Sequence, residues 1–189
     1  MKKIIISCLT FLCAQTLFAQ NADEIFSKFA NVKSVESDFK MERFVSISKT
    51  PFESSGHFLF QKPSFLKWEY AKPFAYGFTI EAEKAFKWQN NNGKTEITDI
   101  SSQPFAKAAT GYLYAFISMD KELISKTYAI GAFDEGLVLS PKNNSKSQDV
   151  DNIKIYVSKD SPAVSKVVIS NKTGDKTEIS FSNTSVTEF

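Results

Sequence analysis

The chain has 189 residues, with 23 basic against 21 acidic side chains and a formal charge of +2. So even a balance argues against nucleic acid or an anionic membrane surface as the main partner, since either needs a cationic excess to meet phosphates. One histidine and two cysteines, Cys8 and Cys13, are too few for a His/Cys zinc or iron site.

The N-terminus reads as an export signal. Lys2 and Lys3 precede an apolar stretch, Ile4 to Leu12, and Leu17-Phe18-Ala19 ends on a small residue at the cleavage position. The stretch is shorter than the roughly 20 residues of a spanning helix. Bulky Phe11 and Leu12 before Cys13 argue against lipid attachment there. Cleavage after Ala19 leaves residues 20–189 as one domain, without a thiol and with zero net charge. That domain keeps 16 of the 18 Phe, both Trp and all six Tyr.

A helix is expected over Asn21 to Val32, with Ile25, Phe26 and Phe29 on one face and Asn21 or Asp23 as its cap. Val35 to Ile47 reads as a strand carrying Phe39, Met41, Val45 and Ile47 on one side, interrupted by Arg43. From Glu53 to Lys62, Phe58 and Phe60 alternate with His57, Leu59 and Gln61. From Phe65 to Ala71, Leu66, Trp68 and Tyr70 alternate with Lys67 and Glu69. This period-2 pattern marks a sheet with one apolar face, and Pro63 ends the first of the two strands by removing a backbone donor. Tyr76 to Ala82 continues it through Phe78, Ile80 and Ala82. Lys84 to Gln89 carries Phe86 and Trp88, and Asn91-Asn92-Gly93 turns the chain into Lys94 to Ile100.

Ser101 to Ser118 changes period. Phe105, Ala108, Ala109, Leu113, Phe116 and Ile117 follow helical spacing, with Gly111 as an interruption. Asp120 to Ser125 reads as a polar connection. Lys126 to Ala132 and Gly136 to Pro141 form a hairpin, and Lys142 to Asp151 is a polar loop. Asn152 to Ser158, Ala163 to Asn171 and Lys176 to Asn183 close the chain as strands, with Thr173-Gly174-Asp175 turning the last pair. The fold class is mainly β, with about eleven short antiparallel strands in a strongly curved sheet or barrel. A helix in mid-chain must bury its apolar face on the concave side.

Catalytic chemistry finds no foothold. His57, the one histidine, reads as a half-exposed strand residue, and no Ser-His-Asp arrangement surrounds it. Glu42 and Glu69 could be nominated as a carboxylate pair, but nothing singles them out. With seven glycines, no phosphate loop is present, nor an Asp-rich calcium loop. The expectation is no enzyme, no metal and no cofactor. The aromatic wealth fits a lipid cavity or an ordinary filled core, and the interior volume separates the two.

The pattern Gly-x-Phe-x-Phe-x-Lys-Pro-x-Phe-x-x-Trp-x-Tyr-x-x-Pro across Gly56–Pro73 resembles the outer-membrane lipoprotein carrier family, the LolA-type periplasmic chaperones. Asp38-Phe39, the stretch Val138-Leu139-Ser140-Pro141-Lys142 and the closing Phe181-Ser182-Asn183 resemble further family segments in the same order. The resemblance implies an incomplete antiparallel β-barrel of about eleven strands, with an N-terminal helix and a mid-chain helical lid. It implies a monomeric periplasmic carrier that takes lipoprotein acyl chains from an inner-membrane ABC transporter to an outer-membrane receptor. The acyl cavity would be lined by Phe39, Met41, Phe58, Phe60, Leu66, Trp68, Tyr70, Phe78 and Ile80, with the lid helix Phe105–Ser118 above it. Lys62 stands where well-known members carry an Arg that bonds the lid. Met41 stands where they often have Gln, and the chain ends sooner after Phe-Ser-Asn than in many members. The alternative is a lipid-binding or signal-sensing periplasmic module of the same fold.

Overall fold

The structure is a computed structural model that describes residues 22–82, 84–91, 93–103, 113–142 and 149–189. Eleven antiparallel strands form one sheet, in the order β6-β5-β4-β3-β2-β1-β11-β10-β9-β8-β7. The first six are β1 (Val32–Phe44), β2 (Phe52–Gln61), β3 (Phe65–Lys72), β4 (Tyr76–Glu81), β5 (Lys84–Asn91) and β6 (Lys94–Asp99). They run as a meander to one edge. The chain then passes to the other edge and returns through β7 (Tyr128–Phe133), β8 (Gly136–Pro141), β9 (Val150–Val157), β10 (Val164–Asn171) and β11 (Lys176–Glu188). The first and last strands therefore meet in the middle of the sheet, and its two edges, β6 and β7, stay unjoined. Among the described residues, helix covers 22–28 (α1), 113–118 (α2) and Lys121–Thr127 (α3).

Strand alternation divides the sheet into two faces. On the inner face, Phe39, Phe58, Phe60, Leu66, Trp68 and Ile80 are buried together with Leu137, Leu139, Ile153, Ile155, Val167 and Ile179 from the second meander. Helix residues Phe26, Ala115, Phe116, Ile117 and Ile124, with Phe29 just past α1, belong to the same cluster. Gly56 makes one close approach possible. A Cβ there would stand 1.8 Å from the Glu69 carbonyl oxygen and 2.9 Å from the Phe39 ring, so only glycine lets that ring lie across β2.

Several expectations are corrected. Val32 opens β1 rather than closing a helix, so α1 ends sooner and β1 lies earlier in the chain. Val45 and Ile47 fall beyond β1, in the connection to β2, where Ile47 is exposed. Asp23 lies inside α1, where it pairs with Lys121 instead of capping. The supposed polar connection after Asp120 is helix α3. Asp120 caps it by accepting from Leu123 N at 2.9 Å, and Met119 ends α2 with a φ of 51°.

β11 does not stop at Asn183 but runs on to Glu188, pairing with Val32 to Glu36. Asn183 takes a φ of 53° at a register shift, where one extra residue of β11 is accommodated opposite Ser37. Buried Ser37 seals the bulge with bonds of 2.8 Å to Ser182 O and 2.8 Å to Thr184 Oγ1. Asparagine signals a turn in sequence because it tolerates positive φ, and here that tolerance is used inside a continuing ladder. The expected signal (1–19), Asn21 as a cap, the lid segment 104–112 and most of the polar loop, 143–148, lie outside the described residues.

Candidate functional site

All nine residues expected to line a cavity stand on the inner face, and strand register sets them in rows. One row runs Val35, Phe60, Leu66, Ile80, Ala85 across β1 to β5. The next runs Ser37, Phe58, Trp68, Phe78. A third runs Phe181, Phe39, Gly56, Tyr70, Tyr76, and Met41 lies beyond it opposite Ile179. Phe39, Phe58, Phe60, Leu66, Trp68 and Ile80 are buried, while Met41, Tyr70 and Phe78 are half-buried.

The rings touch one another. Phe39 lies 4.3 Å from Trp68, Phe58 stacks on Trp68 at 5.3 Å, and Phe181 meets Phe58 edge-on at 5.4 Å. Tyr70 stacks on Tyr76 at 4.4 Å, which carries the aromatic surface outward to the end of the sheet. Burial, with the neighbouring Tyr76 adding to it, pushes the Tyr70 hydroxyl up to about 12. This face therefore grades from fully enclosed at Phe60 and Trp68 to half-open at the tyrosines.

Short helices cover the enclosed end. Tyr114 of α2 meets Phe60 at 5.3 Å between ring centres, and its hydroxyl donates to the Pro63 carbonyl in the β2–β3 turn. Lys62, beside Pro63, is turned toward α1: its ammonium donates to the Phe29 and Ala30 carbonyls at 3.2 and 3.3 Å. Those carbonyls lie in the turn that follows α1, so the cation sits beside the negative end of the helix. The β2–β3 turn thus ties α1 through Lys62 and α2 through Pro63. Between them opens a cleft of about 480 Å³, lined by Phe26, Phe29, Lys62, Tyr114, Met119 and Phe189 among others. Tyr114 separates this cleft from Phe60 and the buried rows. The apolar face of α1 signalled Phe26 and Phe29 in the sequence, but no pattern marked Tyr114, Met119 or Phe189 as neighbours of Lys62.

The outer face is different in kind. His57 bridges β1 with Nδ1 2.9 Å from Asp38 and Nε2 3.0 Å from Glu36, and Asn183 donates to Asp38 at 2.8 Å. Phe86 and Trp88 also lie outward, with Ile97, in a shallow groove of about 590 Å³. The Trp88 ring rests on Gly77, where a Cβ would come within 2.7 Å of its Nε1. Glu42 and Glu69 are occupied by lysines: Lys40 at 3.2 Å from Glu42 and Lys67 at 2.9 Å from Glu69.

The sequence model of one family, described as outer membrane lipoprotein carrier protein LolA, matches residues 30–188. The chain belongs to the LolA family. An outer-membrane lipoprotein carrier protein of Francisella philomiragia is 24% identical over 186 residues, which cover 97% of this chain and 86% of that protein. Among solved structures, MucB in its complex with MucA from Pseudomonas aeruginosa aligns with a TM-score of 0.51 at 11% identity. It covers 89% of this chain and 56% of the other. A LolA superfamily protein from Nitrosomonas europaea aligns over 89% of this chain and 94% of its own at 10% identity, with a TM-score of 0.46. The MucB likeness is one of fold. The open, mostly β architecture expected from the sequence agrees with this family membership.

Proposed function

We propose that this protein carries the acyl chains of lipoproteins across the periplasm, holding them against the inner aromatic face. The observation that carries the reading is the unbroken apolar surface from Phe60 and Trp68 out to Tyr70 and Tyr76 in a chain of the LolA family. Each methylene left in water costs roughly 0.8 kcal/mol, so an acylated protein crosses an aqueous space only with that surface hidden. Phe39, Met41, Phe58, Phe60, Leu66, Trp68, Tyr70, Phe78 and Ile80 form the acyl-binding wall. Their rings are packed on one another, so loading requires the helical cover to move and the rings to part. The double tie at Lys62 and Pro63 is the place where that movement is controlled. Export by the N-terminal signal, release of cargo by an inner-membrane ABC transporter, delivery to an outer-membrane receptor and action as a monomer complete the reading.

Mass spectrometry of protein isolated from the periplasm tests it: lipoprotein or lipid is expected to accompany the parent protein. Phe60→Glu and Trp68→Glu are expected to lose cargo and to destabilise the fold, because both side chains are fully buried and an unpaired carboxylate is strongly disfavoured in an apolar site. Tyr70→Glu, at the half-buried edge, keeps the test open should the interior variants unfold. Cargo retained by all three folded variants refutes this wall as the binding site. A second reading, a sensing module that binds a signalling protein, is favoured by the fold shared with MucB, which was solved in complex with MucA. An isolate that carries a protein partner without an acyl group supports that reading.

A further inference from the structure

Six large apolar side chains are exposed among the described residues, and four of them share one end of the sheet. Ile47 is 95% exposed, Phe74 75%, Phe52 63%, and Phe44 is at the margin. Single exposed apolar residues are ordinary, but a cluster is not. Strand register brings these together: Arg43 at the end of β1 pairs with Phe52 at the start of β2, and Ser55 pairs with Lys72 just before the turn that carries Phe74. Ile47 sits on the β1–β2 connection, which is tied down by Ser46 N donating to Asp175 Oδ1 at 3.0 Å and Ser48 N donating to Val45 O at 3.0 Å.

Cations outnumber acids around these tips. Arg43, Lys49, Lys72 and Lys172 flank the apolar tips, and none of them makes an ion pair among the described residues. Of the nearby acids, Glu42 and Glu53 share Lys40 at 3.2 and 3.3 Å, Asp175 accepts from the Ser46 amide, and Asp149, beside Lys172, makes no ion pair among the described residues. Lys176 covers the Phe44 ring at 4.6 Å. Apolar points on separate turns and strand ends, flanked by unpaired cations, suit a fluid anionic surface better than a shaped protein partner.

We propose that this end of the sheet is a membrane-contacting rim, with Ile47, Phe52 and Phe74 entering the headgroup boundary of an anionic phospholipid bilayer. Arg43, Lys49 and Lys72 meet the lipid phosphates. The half-open end of the aromatic face, at Tyr70 and Tyr76, lies directly behind the rim, so contact places that face's opening on the membrane. The rim requires no cargo and stands independently of the carrier reading.

Co-sedimentation of the periplasmic protein with vesicles tests the proposal. Binding is expected to vesicles of phosphatidylcholine with phosphatidylglycerol, and weaker binding to phosphatidylcholine alone. Ile47→Ser with Phe74→Ser is expected to lower the vesicle-bound fraction about tenfold on both compositions. Lys49→Glu with Lys72→Glu is expected to lower it about tenfold on the anionic vesicles and to leave the other unchanged. Cleavage after Ala19 would remove both cysteines, so a fluorophore on Ile47→Cys reports the site alone, and its emission is expected to shift to the blue on vesicles. These positions are exposed, and circular dichroism confirms that the variants fold. A parent that ignores both vesicle types overturns the proposal, as does a double serine variant that binds like the parent. A dimeric parent that the serine pair converts to a monomer assigns the rim to self-association instead.

Discussion

His57 shows how much a single strand residue can gain from register. Its ring is placed between Asp38 and Glu36 because β2 pairs with β1 at that offset. Partial burial works against the charged ring. The hydrogen bonds to Asp38 and Glu36, helped by their charges, outweigh it and raise the imidazole pKa above the ordinary 6.5. A raised folded-state pKa gives stability that is fully present below the unfolded value and lost as pH rises through the folded one. Asp38 shifts the other way: bonds from Asn183 and His57 lower its pKa, so its contribution is lost only as pH falls through that lowered value. Urea unfolding at about pH 6 and about pH 8 is therefore expected to show the parent losing stability that His57→Gln does not lose. Identical pH dependence in the two proteins rules out this linkage.

At the scale of elements, helix α1 is tied to its surroundings at three places. It is held by Phe26 and the following Phe29 in the core, by Lys62 on the carbonyls of the turn just past its end and by the Asp23–Lys121 pair to α3. Lys62→Leu is expected to cost about 1 kcal/mol, or about 2–4 °C in Tm. It should speed hydrogen exchange in α1 and slow onward transfer of lipoprotein. Lys62→Arg, which keeps the cation, is expected to restore α1 protection. Unchanged exchange in the leucine variant argues that the apolar contacts alone hold α1.

For the whole molecule, two kinds of attraction are kept apart in space. The inner face is aromatic and enclosed, and the chain from residue 20 onward is neutral. Binding of a soluble long-chain fluorescent amphiphile is therefore expected to change little between low and high salt, because burial of methylenes is not screened. Vesicle binding through the cationic rim is expected to weaken over the same range, since a Debye length of about 10 Å at 0.1 M screens exposed lysines. Amphiphile binding that falls steeply with salt would move the ligand site from the inner face to the surface.

The sequence by itself determined the strands and the side each residue takes, because a period of two is a property of the backbone that survives any tertiary arrangement. Phe58, Phe60, Leu66, Trp68 and Ile80 were legible as one face for that reason. α3 was not, because its cap and single buried Ile124 leave a nearly polar surface that reads as a loop. Nor was the second half of β11, where Asn183 signals a turn but forms a bulge. Only the tertiary structure decided that the first and last strands meet, which depends on pairing across the length of the chain. It also decided that Lys62 faces α1 while Pro63 holds Tyr114. Ile47, read as part of an apolar strand face, became the most exposed tip of the sheet because β1 ends before it. Periodicity fixes which face a residue takes within a strand, but the end of a strand is set by what its neighbours can pair with.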